Sequence, residues 1–154
     1  VPEKNVNPFD LKSALLAKHA QHVVIIHFPI ALYITAVLFD ALAVWKRNAI
    51  LATAAYYNFT VAAIASVPAA ATGLLAWQLL FDGKTPRGNL LLHMILGLTS
   101  VLMMWLVWTV QYRARQKPRA DLWEARLGFE LAGVLLVALT GHVGGFLSGV
   151  NGAG

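Results

Sequence analysis

Five histidines, His19, His22, His27, His93 and His142, and not one cysteine set the chemistry open to this 154-residue chain. Without thiols there are no disulfides, no four-cysteine iron–sulfur sites and no covalent attachment of c-type haem. Any metal or haem must be held by imidazole, thioether or carboxylate. His27, His93 and His142 lie inside long apolar runs. His27 is 18 residues before Trp45, His93 is 19 before Tyr112, and His142 is 16 after Arg126. At helical rise these separations are about 27, 28 and 24 Å, so three helices carry an imidazole to one level. His22 and His19 fall a turn or more further out on the same side.

Ionisable groups inside an apolar bundle are functional candidates by default. Three uses fit these histidines: neutral imidazoles as axial ligands of haem b, a copper or other metal site, and hydrogen-bonded structural or proton-handling groups. Gly73, Gly97 and Gly145, with Gly141 and Gly144, stand at similar heights. They would leave room for a flat macrocycle, and would equally serve close helix packing. His19 reads as a solvated interfacial residue, and Met94, Met103 and Met104 as packing residues. Asp40 and Glu130 lie in the opposite half, five residues from Trp45 and four from Arg126. Their expected partners are Arg47, Arg113 or Arg126, through a salt bridge or by snorkelling to the interface, with a proton path as the alternative.

The elements that position these groups are long apolar segments. Hydrophobic residues make up 58% of the chain and charged ones 12%, with a mean hydropathy of +0.64, outside the range of ordinary soluble domains. Four spans are expected: Val23 to Trp45, about Ala52 to Phe81, Leu90 to Tyr112, and about Leu127 to Val150. The fold class is therefore all-α, an integral membrane four-helix bundle running up and down, with a short N-terminal interfacial helix. Residues 1–22 read as tail and interfacial helix, 23–150 as the membrane domain, and 151–154 as a C-terminal tail.

Charge sets an orientation. The linkers at 46–51 and 113–126 carry seven basic residues against two acidic, while the N-terminal tail and the 82–89 turn carry five against three. Lys and Arg favour the cytoplasm, which puts both termini on the periplasmic side of a bacterial inner membrane. A chain that begins outside with Val1 is expected to follow a removed leader or an upstream segment. The net charge of +5 is spread over these linkers instead of an amphipathic face, so it marks topology and not nucleic-acid binding. Hydrolase and kinase motifs are absent, and Gly141-His142-Val143-Gly144-Gly145 lacks the preceding strand of a dinucleotide loop.

The segments HVVIIHFPIAL at 22–32, Asp40 after them, ATGLLAW at 71–77, LLHMILG at 91–97 and TGHVGG at 140–145 resemble the family known as domain of unknown function 2231. The resemblance covers roughly 19–152. Its most specific parts are His22 and His27 with Phe28-Pro29, then His142 with Gly144-Gly145. Members continue with an acidic residue and a second histidine where this chain has Phe146 and Asn151. The resemblance implies a membrane location and an association with redox proteins, since some relatives are joined to Rieske or cytochrome-like domains.

Together these readings lead to an expected b-type cytochrome subunit that moves electrons near the outer face and performs no substrate chemistry of its own. Its main ligand candidates are His27, His93 and His142, with His22 as a fourth, enough for one haem b or two. Expected partners are lipid, other redox subunits or a periplasmic electron carrier, and a quinone. The alternatives are a haem-free structural or assembly subunit and a copper-handling membrane protein.

Overall fold

The computed structural model of the chain describes residues 20–116 and 123–148. The interfacial helix expected before residue 20, His19, and the tail 151–154 lie outside that range. Four helices make up the described chain: α1 (Ala20–Lys46), α2 (Ala49–Phe81), α3 (Gly88–Gln116) and α4 (Trp123–Leu147). They are the four expected apolar runs, and each is long and apolar enough to cross a membrane. Helix α1 starts three residues before Val23, so it takes in His22, which the sequence reading had left outside the span.

Buried or half-buried positions recur at alternating steps of four and three residues on every helix. On α2 the row is Ala55, Phe59, Ala62, Ser66, Ala69, Gly73 and Ala76, and on α3 it is His93, Gly97, Ser100, Met104, Val107 and Gln111. On α4 it is Arg126, Glu130, Gly133, Val137, Thr140 and Gly144. On α1 it runs through His22, Ile26, Pro29, Tyr33, Ala36, Asp40 and Ala43. A seven-residue repeat of this kind keeps one face of each helix toward a common axis and gives a left-handed bundle. The other faces are apolar and outward, with Val24, Ile50, Leu98 and Leu131 among the most exposed. That inside-out distribution belongs in hydrocarbon.

Alanine at every seventh position of α2, at 55, 62, 69 and 76, lets a neighbour approach closely. The α1–α2 pair is accordingly the most extensive contact, followed by α3–α4 and α2–α3, and α1–α4 closes the ring least tightly. The α1–α2 hairpin is short because its ends are capped. Arg47 turns left-handed at φ 49°, and the Asn48 side chain accepts from the amides of Ile50 and Leu51 at 2.9 and 3.1 Å. At the other end of α2, the Trp77 indole donates to Lys84 O at 3.0 Å and fastens the α2–α3 turn.

The core is sparse in large groups. Tyr33 and Phe59 meet edge to face at 5.5 Å, among Val37, Met104, Val107 and Val137. This plug separates two polar layers, one at the histidine end of the bundle and one nearer the basic linkers.

Candidate functional site

The histidine layer is built on the last inward positions of the bundle. His22 lies in the first turns of α1 and His93 in the first turns of α3, and their rings face each other with centroids 6.4 Å apart and planes at 81°. Both rings are half-buried. His22 Nδ1 lies 3.2 Å from Thr72 Oγ1, and that hydroxyl gives its own hydrogen to Ala69 O at 2.9 Å. With its hydrogen on Ala69 O, Thr72 is the acceptor, and the neutral ring of His22 then carries its proton on Nδ1. His93 Nδ1 lies 3.1 Å from Thr140 O, a carbonyl that can only accept. Both histidines thus carry hydrogen on Nδ1 when neutral and keep the Nε2 lone pair available.

Two glycines let the rings sit where they do. A Cβ at position 73 would stand 2.9 Å from His22 Cε1, and one at 144 would stand 3.0 Å from His93 Cε1. Thr140 is braced in turn: its hydroxyl donates to Leu136 O at 2.7 Å and meets the buried Ser100 Oγ at 3.0 Å. Each of the four helices contributes to this layer, α1 and α3 with imidazole, α2 and α4 with a threonine and a glycine.

Two imidazoles holding one metal between them through bonds of about 2 Å would have ring centres about 6 Å apart, close to the 6.4 Å found for His22 and His93. Hydrogen bonds on Nδ1 fix the tautomer and ring orientation that such ligands need. Among the described residues no group of three His, Cys, Asp or Glu is gathered at one point, so a compact cluster of the kind the copper reading calls for is not formed by them.

The expected residues divide here. His22 and His93 come together, whereas His27 and His142 are exposed on the outer surface. His27 turns its Nδ1 to Val23 O of its own helix, and His142 packs edge-on against Phe146 at 5.2 Å. Among the glycines, Gly73 touches the His22 ring directly. Gly97 meets only Thr140 Cγ2 at 3.9 Å, and Gly145 is half-buried one position beyond Gly144. Thr72, Thr140 and the specific part of Gly144 were not picked out by the sequence reading. The seven-residue repeat would have found Thr140 and Gly144, which share a helix face that His142 does not, but Thr72 lies beside the α2 row and gave no such signal.

The second polar layer lies ten residues down α4 from Thr140, about 15 Å away. Arg126 Nη2 donates to Asp40 Oδ2 at 2.6 Å, and its Nε is 3.5 Å from Glu130 Oε1. Gln111 Nε2 donates to that same Oε1 at 2.7 Å. All four side chains are buried, Glu130 completely. Of the three arginines considered for Asp40 and Glu130, Arg126 is the partner, and burial replaces the interfacial snorkelling that was the other expectation. Tyr33 donates to Glu130 O at 3.2 Å, and its hydroxyl takes the place a Cβ would need at Gly133. These contacts join α1 to α4 where helix packing is thinnest.

Four apolar helices around two internal polar layers define a small integral membrane bundle. The family model described as a predicted membrane protein, DUF2231, matches residues 18–154. The chain belongs to that family. Neither the curated proteins nor the solved structures contain a match to it.

Proposed function

We propose that the chain is a b-type cytochrome subunit in which His22 and His93 would hold the haem through Nε2. The observation that carries this reading is the facing pair itself: two imidazoles 6.4 Å apart between centroids, each with Nδ1 engaged by a helix neighbour. Haem would supply one-electron transfer at the histidine end of the bundle. The chain's residues do the rest. Thr72 and Thr140 hold the Nδ1 protons and set the ring planes, Gly73 and Gly144 let the rings lie against α2 and α4, and the Tyr33–Phe59 plug keeps the layer separate from the ionic one.

One such pair serves one haem, near one face, so electrons would be exchanged with another redox subunit, a peripheral carrier or a quinone at that face. The basic linkers favour the periplasmic side of a bacterial inner membrane for this face. No substrate chemistry is assigned to the chain itself.

The test is a reduced-minus-oxidised visible spectrum with pyridine haemochrome quantitation of the gently purified protein. One haem b per chain is expected, lost in His22→Ala and in His93→Ala and retained in His27→Ala and His142→Ala. A colourless, metal-free, well-folded protein overturns the reading and leaves the histidines as hydrogen-bonding groups of a structural or assembly subunit. Stoichiometric copper without porphyrin would move the chain to copper handling.

A further inference from the structure

The ionic layer has more negative charge than its partners offset. Two carboxylates, Asp40 and Glu130, share one guanidinium, Arg126, and all three are enclosed by the bundle. The charged groups facing Glu130 are Asp40 from α1 and Arg126 from its own helix, while α3 brings the neutral Gln111. From α1, Tyr33 also reaches the Glu130 backbone carbonyl. Helix α2 contains no Asp, Glu, Lys, Arg or His at all. Counted over these groups, the layer would stand at one net negative charge in an apolar interior, where an uncompensated charge is costly.

Hydrogen bonding shows where the imbalance falls. Glu130 Oε1 receives Gln111 Nε2 and has Arg126 Nε nearby, whereas Glu130 Oε2 is buried with no hydrogen-bond partner among the described residues. A carboxylate oxygen without a donor becomes a donor itself once it takes up a proton, and Asp40, held by Arg126 through Oδ2, is the neighbouring carboxylate able to accept from it. A metal cation fits less well. It would need several more oxygen ligands and would sit beside a guanidinium.

We propose that Asp40 and Glu130 together bind one proton, which makes the ionic layer a proton-binding site within the membrane. Binding converts one carboxylate to a carboxylic acid, and water at the basic end of the bundle supplies the proton. The layer is then neutral, with Arg126 balancing the remaining carboxylate. The site is separate from the histidine pair and does not rest on haem being bound there.

Infrared spectroscopy of the full chain in ether-linked lipid, which has no ester carbonyl to overlap, reads this directly. The wild-type protein at neutral pH is expected to show the C=O stretch of a protonated carboxyl that shifts in D2O. Glu130→Gln and Asp40→Asn each leave one carboxylate against Arg126, so either variant should lose the whole band. The exposed Asp82→Asn should retain it. Both substitutions keep side-chain shape, folding is checked by circular dichroism, and whichever variant folds is decisive alone. Absence of the band from the wild type, or its survival in a folded Glu130→Gln or Asp40→Asn, overturns the proposal. Haem content measured on the same samples bears only on the cytochrome reading, so the two can fail separately.

Discussion

The two polar layers of this bundle use the same scaffold in opposite ways. In the histidine layer, neutral rings are fixed through one nitrogen each and left with the other available, half-buried near the end of the helices. In the ionic layer, charged groups are wholly enclosed and turned on one another. The first arrangement leaves bonding capacity for something to be added, and the second consumes nearly all of its own. A layer of the second kind contributes to holding α1 against α4, and a layer of the first kind depends on that geometry being held. Stability is therefore expected to depend mainly on the ionic layer, and cofactor chemistry mainly on the histidine layer.

The largest effect that would break this division is the removal of Arg126. Arg126→Ala leaves the buried Asp40–Glu130 pair without the cation that balances it and is expected to destabilise the fold by about 3–5 kcal/mol. Denaturant or thermal unfolding in detergent would measure it, and a near-neutral result would mean that the layer is not enclosed as described. Next comes Gly133→Ala, whose Cβ would fall 2.0 Å from the Tyr33 hydroxyl. Overpacking there should cost about 1–3 kcal/mol. In a double-mutant cycle with Tyr33→Phe, the penalty should be smaller than the sum of the two.

The histidine layer should respond differently. Thr72→Val keeps the shape but removes the acceptor for His22 Nδ1, which on the cytochrome reading weakens haem affinity about 10- to 100-fold. Global stability should change by about 1 kcal/mol. Haem titration and unfolding of the same variant separate the two. Gly73→Ala and Gly144→Ala push on the imidazoles by a few tenths of an ångström and should shift the haem spectrum more than they shift unfolding. The smallest effects belong to His27→Ala and His142→Ala, expected within about 0.5 kcal/mol of the parent by unfolding. A large loss in either would place function on the outer surface instead of the bundle axis.

Much of the candidate site could be read in the chain, but not which way each residue faces. Helix count and direction put His27, His93 and His142 at one height, whereas the structure sets His93 against His22, five residues further out on α1 than His27. It gives the inward position to His22 instead of His27, because five residues are about 140° around a helix and both cannot face the axis. The pairing of Asp40 and Glu130 was narrowed to three arginines, and it took the α1–α4 contact to select Arg126. Tyr33 and Gln111 gave no signal as functional residues, since a tyrosine and a glutamine in apolar helices acquire meaning only from what they touch across the bundle.

What the sequence determined by itself was everything that depends on composition and rise along an axis. Four apolar runs of membrane length require helices in lipid, their number brings the histidine-bearing ends together, and the absence of cysteine restricts the ligands. What only the tertiary structure decided was rotation about each axis and distance between axes. Whether an imidazole meets a threonine and a second imidazole or faces lipid depends on close packing between α1 and α2 and between α3 and α4. That packing is set jointly by the alanines and glycines of one helix and the large side chains of the next.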